Sequence, residues 1–445
     1  MQNDNSTPQL AKSLSPLMIW GLGVGYVISG EYFGWNLGLE HGGPYGMLVA
    51  TLIVTVMYVA FVLSYAELAC AIPKAGGAFV YAQRAFGPRI GMLAGTAQWI
   101  EFVFAPPAIA FAIGSYFSNF TTGLPPLALA MAAYIAFTAL NIWGVKQSAI
   151  FELAITILAV GELLIFAGVT APEFSWETFS TNPLPNGWLG VLPALPFAIW
   201  FYLAIEGIAN VAEEAKNPQK DIGRGFLYAI GTLVFLALLV FFTSVGVAGW
   251  EKVVFDPITG EPSDSPLPLA LGFLLGTDHP LFHLLITVGL FGLIASFHGI
   301  LLVAGRATFE FGRAGYFPQA LGEIHPVRQT PVKALIFNLL VGFGALLSGK
   351  TGEIITLSVF GALVLYVVSM CSLLRLRKTE PNLERPYLAP GFPYVPYLAL
   401  GLAFSALLAV FYYNLVIGLI FCGIVGLAYG YFSIRHSSRE SDNRS

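Results

Sequence analysis

The chain has 445 residues, of which 56% are hydrophobic and 10% charged, and its formal net charge is −4. A soluble domain carries about 25% charged residues to keep its surface hydrated, and a nucleic-acid binder needs a basic face against phosphate. Both classes are excluded. What remains is an all-α polytopic membrane protein, because long apolar runs satisfy their backbone in lipid as helices.

Residues 1–16 are polar and lack an apolar core, so they are read as a cytoplasmic tail with no cleavable signal peptide. Beyond them, runs of roughly 20 apolar residues predict twelve transmembrane helices. These lie at 17–41, 45–70, 90–117, 124–143, 148–170, 189–213, 222–249, 280–305, 332–348, 352–374, 394–413 and 414–434. Residues 435–445 form a second polar tail. Every Lys and Arg except Lys252 and Lys350 falls on the side of the two tails, 19 residues against 2. The positive-inside rule therefore puts both termini in the cytoplasm of a multi-pass protein of the cell membrane. Cys70, Cys371 and Cys422 sit in apolar runs with no pairable spacing, and the sequence offers no metal-ligand cluster and no cofactor motif.

Helix 1 carries Ser29-Gly30-Glu31 at its middle, and helix 6 carries Glu206-Gly207 at a similar depth. A helix-interior Gly costs about 1 kcal/mol relative to Ala, and an acid at mid-bilayer costs a few kcal/mol more. Interruptions at matching positions of two halves point to a binding site between inverted repeats. Simple Gly-mediated helix packing would not require the acids.

Glu31, Glu101, Glu162 and Glu206 fall well inside helices, whereas no Lys or Arg does. Buried acids must pair, take up a proton or face a polar cavity. With no fixed cation available, the partner is a mobile one: a proton, a metal ion or a cationic substrate. Glu101 is read as either a helix-packing hydrogen bond or a cavity wall. Glu162 is either a proton-coupling group or a neutral acid bonded to a carbonyl. Glu67 and Glu152 are read as structural acids, hydrogen-bonded at the cytoplasmic rim. Tyr26, Tyr32, Trp99, Trp200, Phe201 and Tyr202 are placed to box an ammonium group by cation–π contact, although an aromatic content of 14% makes most rings ordinary packing. His298 is a lone intramembrane His, read as a packing residue or, alternatively, a proton-sensing one.

Four further stretches carry a family resemblance. SYAELACAIPKAGGAFVYAQRAFG (Ser64–Gly87), EEAKNPQKDIGRGF (Glu213–Phe226), GRATFEFGRAGYFPQALGEIHPVRQTPVKA (Gly305–Ala334) and LRLRKTEPNLERPYLAPGFPYVP (Leu374–Pro396) resemble motifs of the amino acid–polyamine–organocation transporters, in the same order. The resemblance implies a leucine-transporter-like fold of two inverted five-helix repeats, here 17–170 and 189–374, with broken helices 1 and 6 and with helices 11 and 12 at 394–434. Carriers of this kind usually hold a substrate carboxylate on a Gly-Ser/Thr-Gly break. The matching residues here are Ile28-Ser29-Gly30, followed by Glu31, which would repel a carboxylate. The family's Gly-x-Glu of helix 6 appears as Ala204-Ile205-Glu206. The run GVGYVISGEYFGWNLGL is similar to the ethanolamine permease branch.

The expected protein is thus a secondary transporter for a small organic amine, ethanolamine first, and not an enzyme. The substrate site expected from these readings comprises Ser29, Gly30, Glu31, Trp99, Glu101, Trp200, Tyr202, Ala204 and Glu206. Some relatives carry a helix 5 Lys at the position matching Ala159, and a sodium site of the related fold draws adjacent hydroxyls from helix 8, where Ser296 is followed by Phe297 and His298. Both departures favour proton coupling, through Glu162 or His298, or facilitated diffusion over sodium symport. An amino acid or polyamine permease is the alternative within transport. A channel or membrane sensor is the alternative outside it; a channel would not saturate, and a sensor would need a signalling domain that the short tails do not supply.

Overall fold

The computed structural model describes residues 14–442 except 75, 121–122 and 144–148, with side chains described up to residue 434. Most of the N-terminal tail, Lys12, Lys146 and Arg444 lie outside the described residues, as do the side chains of Arg435 and Arg439.

The first half contains α1 (Pro16–Val27), α2 (Ser29–Tyr32), α3 (Leu37–Ala71), α4 (Ala78–Phe86), α5 (Pro88–Ser118), α6 (Pro126–Trp143), α7 (Ala149–Thr170) and α8 (Trp176–Phe179). The second contains α9 (Val191–Trp200), a 3-10 helix (Ile205–Glu214), α10 (Pro218–Ala248), α11 (Trp250–Val254), α12 (Pro266–Leu275) and α13 (Pro280–Ala314). The chain ends with α14 (Val332–Leu346), α15 (Thr351–Thr379), α16 (Tyr394–Tyr413) and α17 (Leu415–Asp442). Proline opens α1, α5, α6, α10, α12 and α13, where its missing N–H would be unpaired in any case.

Among the described residues, 10 helical stretches are by length and composition long and apolar enough to cross a membrane. They coincide with ten of the twelve expected spans. The other two, at 17–41 and 332–348, hold shorter helices: α1 and α2 with a break between them and α3, and the 15-residue α14. Helices 1 and 2 run together in α3, with a kink at Gly43 (φ 61°) just ahead of Pro44. The chain is an all-α polytopic membrane protein.

Its interior is built around α5, whose most apolar stretch is 83% buried, against 17% for α17. The helix at the centre thus touches protein all round, and the last helix presents itself to lipid. One close approach is between α5 and α15. A Cβ on Gly361 would lie 2.4 Å from Ala97 O and 2.8 Å from Glu101 N, so only glycine lets the two backbones meet and sets Glu101 at the junction.

The C-terminal ends of α3 and α15 are tied by Glu67. Its carboxylate accepts Arg377 Nε and Nη2 at 2.6 and 2.7 Å and the Ala389 N–H at 2.8 Å, and Arg385 Nε lies 3.2 Å away. Every lone pair of this buried acid is used, in agreement with the structural role read from the sequence. Breaking such a buried pair costs about 3–5 kcal/mol, whereas the exposed pair Lys333–Glu323 contributes little.

Candidate functional site

The interruption of helix 1 is displaced from its expected position. Ser29-Gly30-Glu31 are helical, forming α2 after a single turn residue, Ile28, and the non-helical stretch follows them. Phe33 is extended (φ −162°, ψ 173°) and Gly34 has φ 88°. The Gly34 N–H is satisfied by Asn36 Oδ1 at 3.1 Å instead of by a helical carbonyl.

In helix 6 the break also falls elsewhere, at Phe201–Ala204 instead of at Glu206-Gly207. Ala204 is left-handed (φ 76°), and Ile205–Glu214 continues as a 3-10 helix. Ten residues is long for that geometry, in which runs beyond 3–4 are uncommon, and a stretch of it within a helix often marks a hinge. In both cases the acid neighbours the break without being the break. Composition indicates where a helix is weak, but the full hydrogen-bond accounting decides which peptide gives way.

The two breaks pack against each other. A Cβ on Gly30 would sit 2.4 Å from Trp200 O and 3.2 Å from Phe201 Cα. The Phe33 ring meets Trp200 edge-on at 5.5 Å, and Trp35 stacks on Phe201 at 5.8 Å. The site is closed to solvent: Glu31 and Tyr202 are 0% exposed, Glu206 2% and Trp200 3%. Within this closed contact neither Glu31 Oε1 nor Oε2 has a hydrogen-bond partner, and Trp200 Nε1 has none either. The Trp200 Nε1 lies against Gly34, where a Cβ would be 2.6 Å from it, and a buried acid and a buried N–H donor without partners each carry a desolvation penalty that a ligand would remove.

A second pair of acids adjoins the first. Glu101 and Glu206 face each other, with the backbone N–H of Ala204 near Glu101, and among the described residues no well-formed hydrogen bond reaches either oxygen of Glu101 or Oε1 of Glu206. Two carboxyls in contact need a proton or another cation between them. Tyr366 Oη donates to Glu206 Oε2 at 3.0 Å, and Tyr58 Oη lies 2.9 Å from Tyr366 Oη. Tyr202 Oη is 2.7 Å from Thr55 Oγ1 and within electrostatic reach of Glu31. The broken helices are thereby wired to α3, α5 and α15.

The remaining residues singled out from the sequence lie around this centre. Ser296 Oγ donates to Tyr26 O at 2.8 Å and lies 2.9 Å from Ser29 Oγ. Tyr32 Oη donates to Glu162 Oε2 at 2.7 Å, and Tyr116 Oη donates to Tyr32 O at 2.9 Å. His298 Nδ1 is 3.1 Å from Asn141 Nδ2. Trp99 is not among the rings at the breaks: its Nε1 donates to Thr308 Oγ1 at 3.0 Å and its ring stacks on Phe337 at 6.1 Å. Glu152 also departs from expectation. It is fully buried, yet neither of its oxygens has a partner.

The comparisons with known proteins bear on what such a site serves. A family model described as amino acid permease matches residues 14–436. The chain belongs to this amino acid permease family, within the amino acid–polyamine–organocation superfamily. It is 28% identical to an uncharacterized transporter of Rhizobium meliloti, over 91% of this chain and 87% of the relative. It is 25% identical to the branched-chain amino acid permease BcaP of Bacillus subtilis, over 96% and 94% of the two chains. To the low-affinity putrescine importer PlaP of Escherichia coli it is 27% identical, over 82% and 80%. The protein is a transporter, not an enzyme.

On the side of the permease that holds Lys252 and Lys350, a cavity of about 560 Å³ is lined by Glu40, Glu261, Asp264 and Glu353, with Lys350 as its basic residue. Lys350 Nζ is engaged by Glu353 at 2.6 Å, so this vestibule favours cations. Its Asp264 belongs to the hairpin after α11, which also accepts Asn36 Nδ2 through Ser263 O at 2.8 Å. The hairpin thus caps the unwound part of helix 1.

Burial pushes the Asp264 carboxyl up to about 7, partly offset by the Thr351 hydroxyl that donates to it at 2.8 Å. A carboxyl whose folded value is raised contributes stability at low pH, and that contribution is lost as pH rises through about 7. The protection factors of the 255–265 amides, corrected for intrinsic base-catalysed exchange, are therefore expected to fall between pH 6 and 8, and Asp264→Asn to flatten the change. A protection factor that ignores pH in the unsubstituted permease would refute this.

Proposed function

We propose that this permease is a secondary carrier for a small organic cation, with ethanolamine as the preferred cargo, working by alternating access at the meeting point of the two broken helices. In this reading the chain crosses the cell membrane twelve times, with residues 17–170 and 189–374 as inverted five-helix repeats and both termini cytoplasmic. The observation that carries the proposal is the pair of orphans at the breaks: two carboxylate oxygens of Glu31 without a donor and the Trp200 N–H without an acceptor. Ethanolamine complements both, since its ammonium is donor-only and its hydroxyl can accept. Ser29 is already engaged with Ser296, which leaves Trp200 as the better partner for the hydroxyl. A carboxylate-bearing cargo would meet Glu31 with like charge.

A second reading, a diamine such as putrescine, is favoured by the Glu101–Glu206 pair, which offers a second cationic subsite beyond Glu31. PlaP, the putrescine importer among the relatives, is consistent with it. Competition against labelled ethanolamine by alanine, lysine and putrescine in proteoliposomes separates the readings; displacement by putrescine alone would select the second.

Trp200→Phe keeps a ring at the break and removes its N–H. It is expected to raise KM for ethanolamine about three- to tenfold, the worth of one net hydrogen bond, while leaving ethylamine, which lacks the hydroxyl, little changed. Equal effects on both amines would remove Trp200 from the hydroxyl subsite. The coupling ion in this reading is a proton. Glu162 and His298, singled out from the sequence for that role, are each held by a hydrogen bond, to Tyr32 and Asn141.

A further inference from the structure

Glu152 is a buried acid that the substrate site does not use. It lies on α7 at 0% exposure, and neither Oε1 nor Oε2 has a hydrogen-bond partner. Three elements close around it. From α1, a Cβ on Gly25 would lie 2.7 Å from Oε1, and Tyr26 is within electrostatic reach. From α13, Gly299 approaches, with a Cβ there 3.8 Å from Oε1. On α7 itself Thr156 Oγ1 borders the same Gly25 position, 2.9 Å from a Cβ there, but its hydrogen is committed to Gly21 O at 3.0 Å. The α10 helix also packs on α7, and among the described residues it brings no charged group to bear on Glu152.

An ionised carboxylate removed from water needs donors or a counter-cation, and among the described residues this pocket supplies neither. It is also too tight for a hydrated metal ion beside Gly25. A proton on the carboxyl meets the requirement. The route by which that proton leaves is marked by charges. Tyr26 is within electrostatic reach of Glu152 and also of Arg306 and Glu214. Arg306 and Glu214, paired at 3.5 Å, line a cavity of about 330 Å³ on the basic side of the protein. Movement of α1 would open Glu152 to that cavity, because α1 supplies both Gly25 and Tyr26.

We propose that Glu152 is a proton-carrying group of the transport cycle: it holds a proton while α1 is packed against α7 and α13, and releases it to water on the basic side when α1 moves away. In the releasing step the carboxyl O–H bond breaks, the proton passes to water, and the carboxylate left behind is hydrated. This deepens the carrier reading above and rests on it only for the cargo used in the flux measurement.

The test uses the full chain. In the infrared spectrum of the purified protein at neutral pH, the difference between the unsubstituted protein and Glu152→Gln is expected to contain a protonated-carboxyl C=O band, which Glu152→Asp retains. A carboxylate band in its place would overturn the proposal whatever the cargo is. In proteoliposomes at zero membrane potential, one-to-one coupling sustains about a tenfold accumulation of ethanolamine per pH unit of gradient. Glu152→Gln is expected to lose that accumulation while keeping exchange at equal pH, which also reports that it is folded. Glu162→Gln, whose position is already held by Tyr32, is expected to keep it. Accumulation lost at Glu162 and kept at Glu152 would overturn the proposal. If the unsubstituted protein does not carry ethanolamine, the cargo reading fails, and the infrared result still decides Glu152.

Discussion

Glu31→Gln is expected to abolish saturable ethanolamine uptake, lowering it roughly 100-fold or more, because a buried ion pair that loses one partner costs about 3–5 kcal/mol. The expectation rests on what surrounds the acid. Both Glu31 oxygens are buried and unpartnered, so the ammonium of the cargo would be their only strong partner in the closed state. Gln preserves size and shape, which separates loss of charge from loss of packing. It also brings an amide donor where an ammonium should bind, so the site is changed from an acceptor of donors to a competitor for acceptors. Glu31→Asp, which keeps the charge but shortens the reach, should fall between the two. Uptake near normal in a correctly inserted Glu31→Gln protein would refute the assignment of Glu31 to the ammonium.

Gly30→Ala is the second substitution with a large expected effect, and it acts through geometry alone. The new Cβ would meet Trp200 O at 2.4 Å and Phe201 Cα at 3.2 Å. Both are backbone atoms flanked by a hydrogen-bonded helix, so no rotamer change relieves the clash. The two breaks must separate, and overpacking of this kind costs about 1–3 kcal/mol. The closed state is the one penalised, and uptake should fall about 10- to 100-fold while insertion into the membrane is kept. Gly231→Ala is the control, since a Cβ there meets nothing within 4 Å. The Trp200 indole should become reachable by an aqueous quencher in Gly30→Ala and remain protected in Gly231→Ala. Protection retained together with normal uptake would show that the breaks need not touch during transport.

Both predictions depend on features that differ in how far they can be read from the chain. Glu31 was readable: an acid beside glycine in an apolar run is conspicuous, and its partner break near Glu206 lies in a corresponding run. The contact of Gly30 with the Trp200 backbone was not, since the two are 170 positions apart and nothing local to either announces the other. The same holds for Glu67, whose partners Arg377 and Arg385 come from the opposite end of the chain. Trp99 and Glu152 show the converse error. Trp99 sits two positions from Glu101, but helical geometry turns it toward Thr308 and Phe337. Glu152 looked like a rim residue from its place near the end of a run, yet α1 and α13 seal it.

By itself, the sequence determined the membrane class, the helical content and the presence of acids without fixed cations within its apolar runs. Each of these is a property of composition along one segment, and the cost of exposing a peptide group or a charge to lipid is large enough to be decided segment by segment. The tertiary structure alone decided which acids are paired and which are left without a donor, and where each helix yields. Hydrogen bonds and ion pairs between segments are worth only a few kcal/mol and depend on placement to a fraction of an ångström. The scarcity of charge seen at the outset thus marks a membrane protein, while the sites proposed for cargo and proton emerge only when α1, α7, α9 and α13 are brought together.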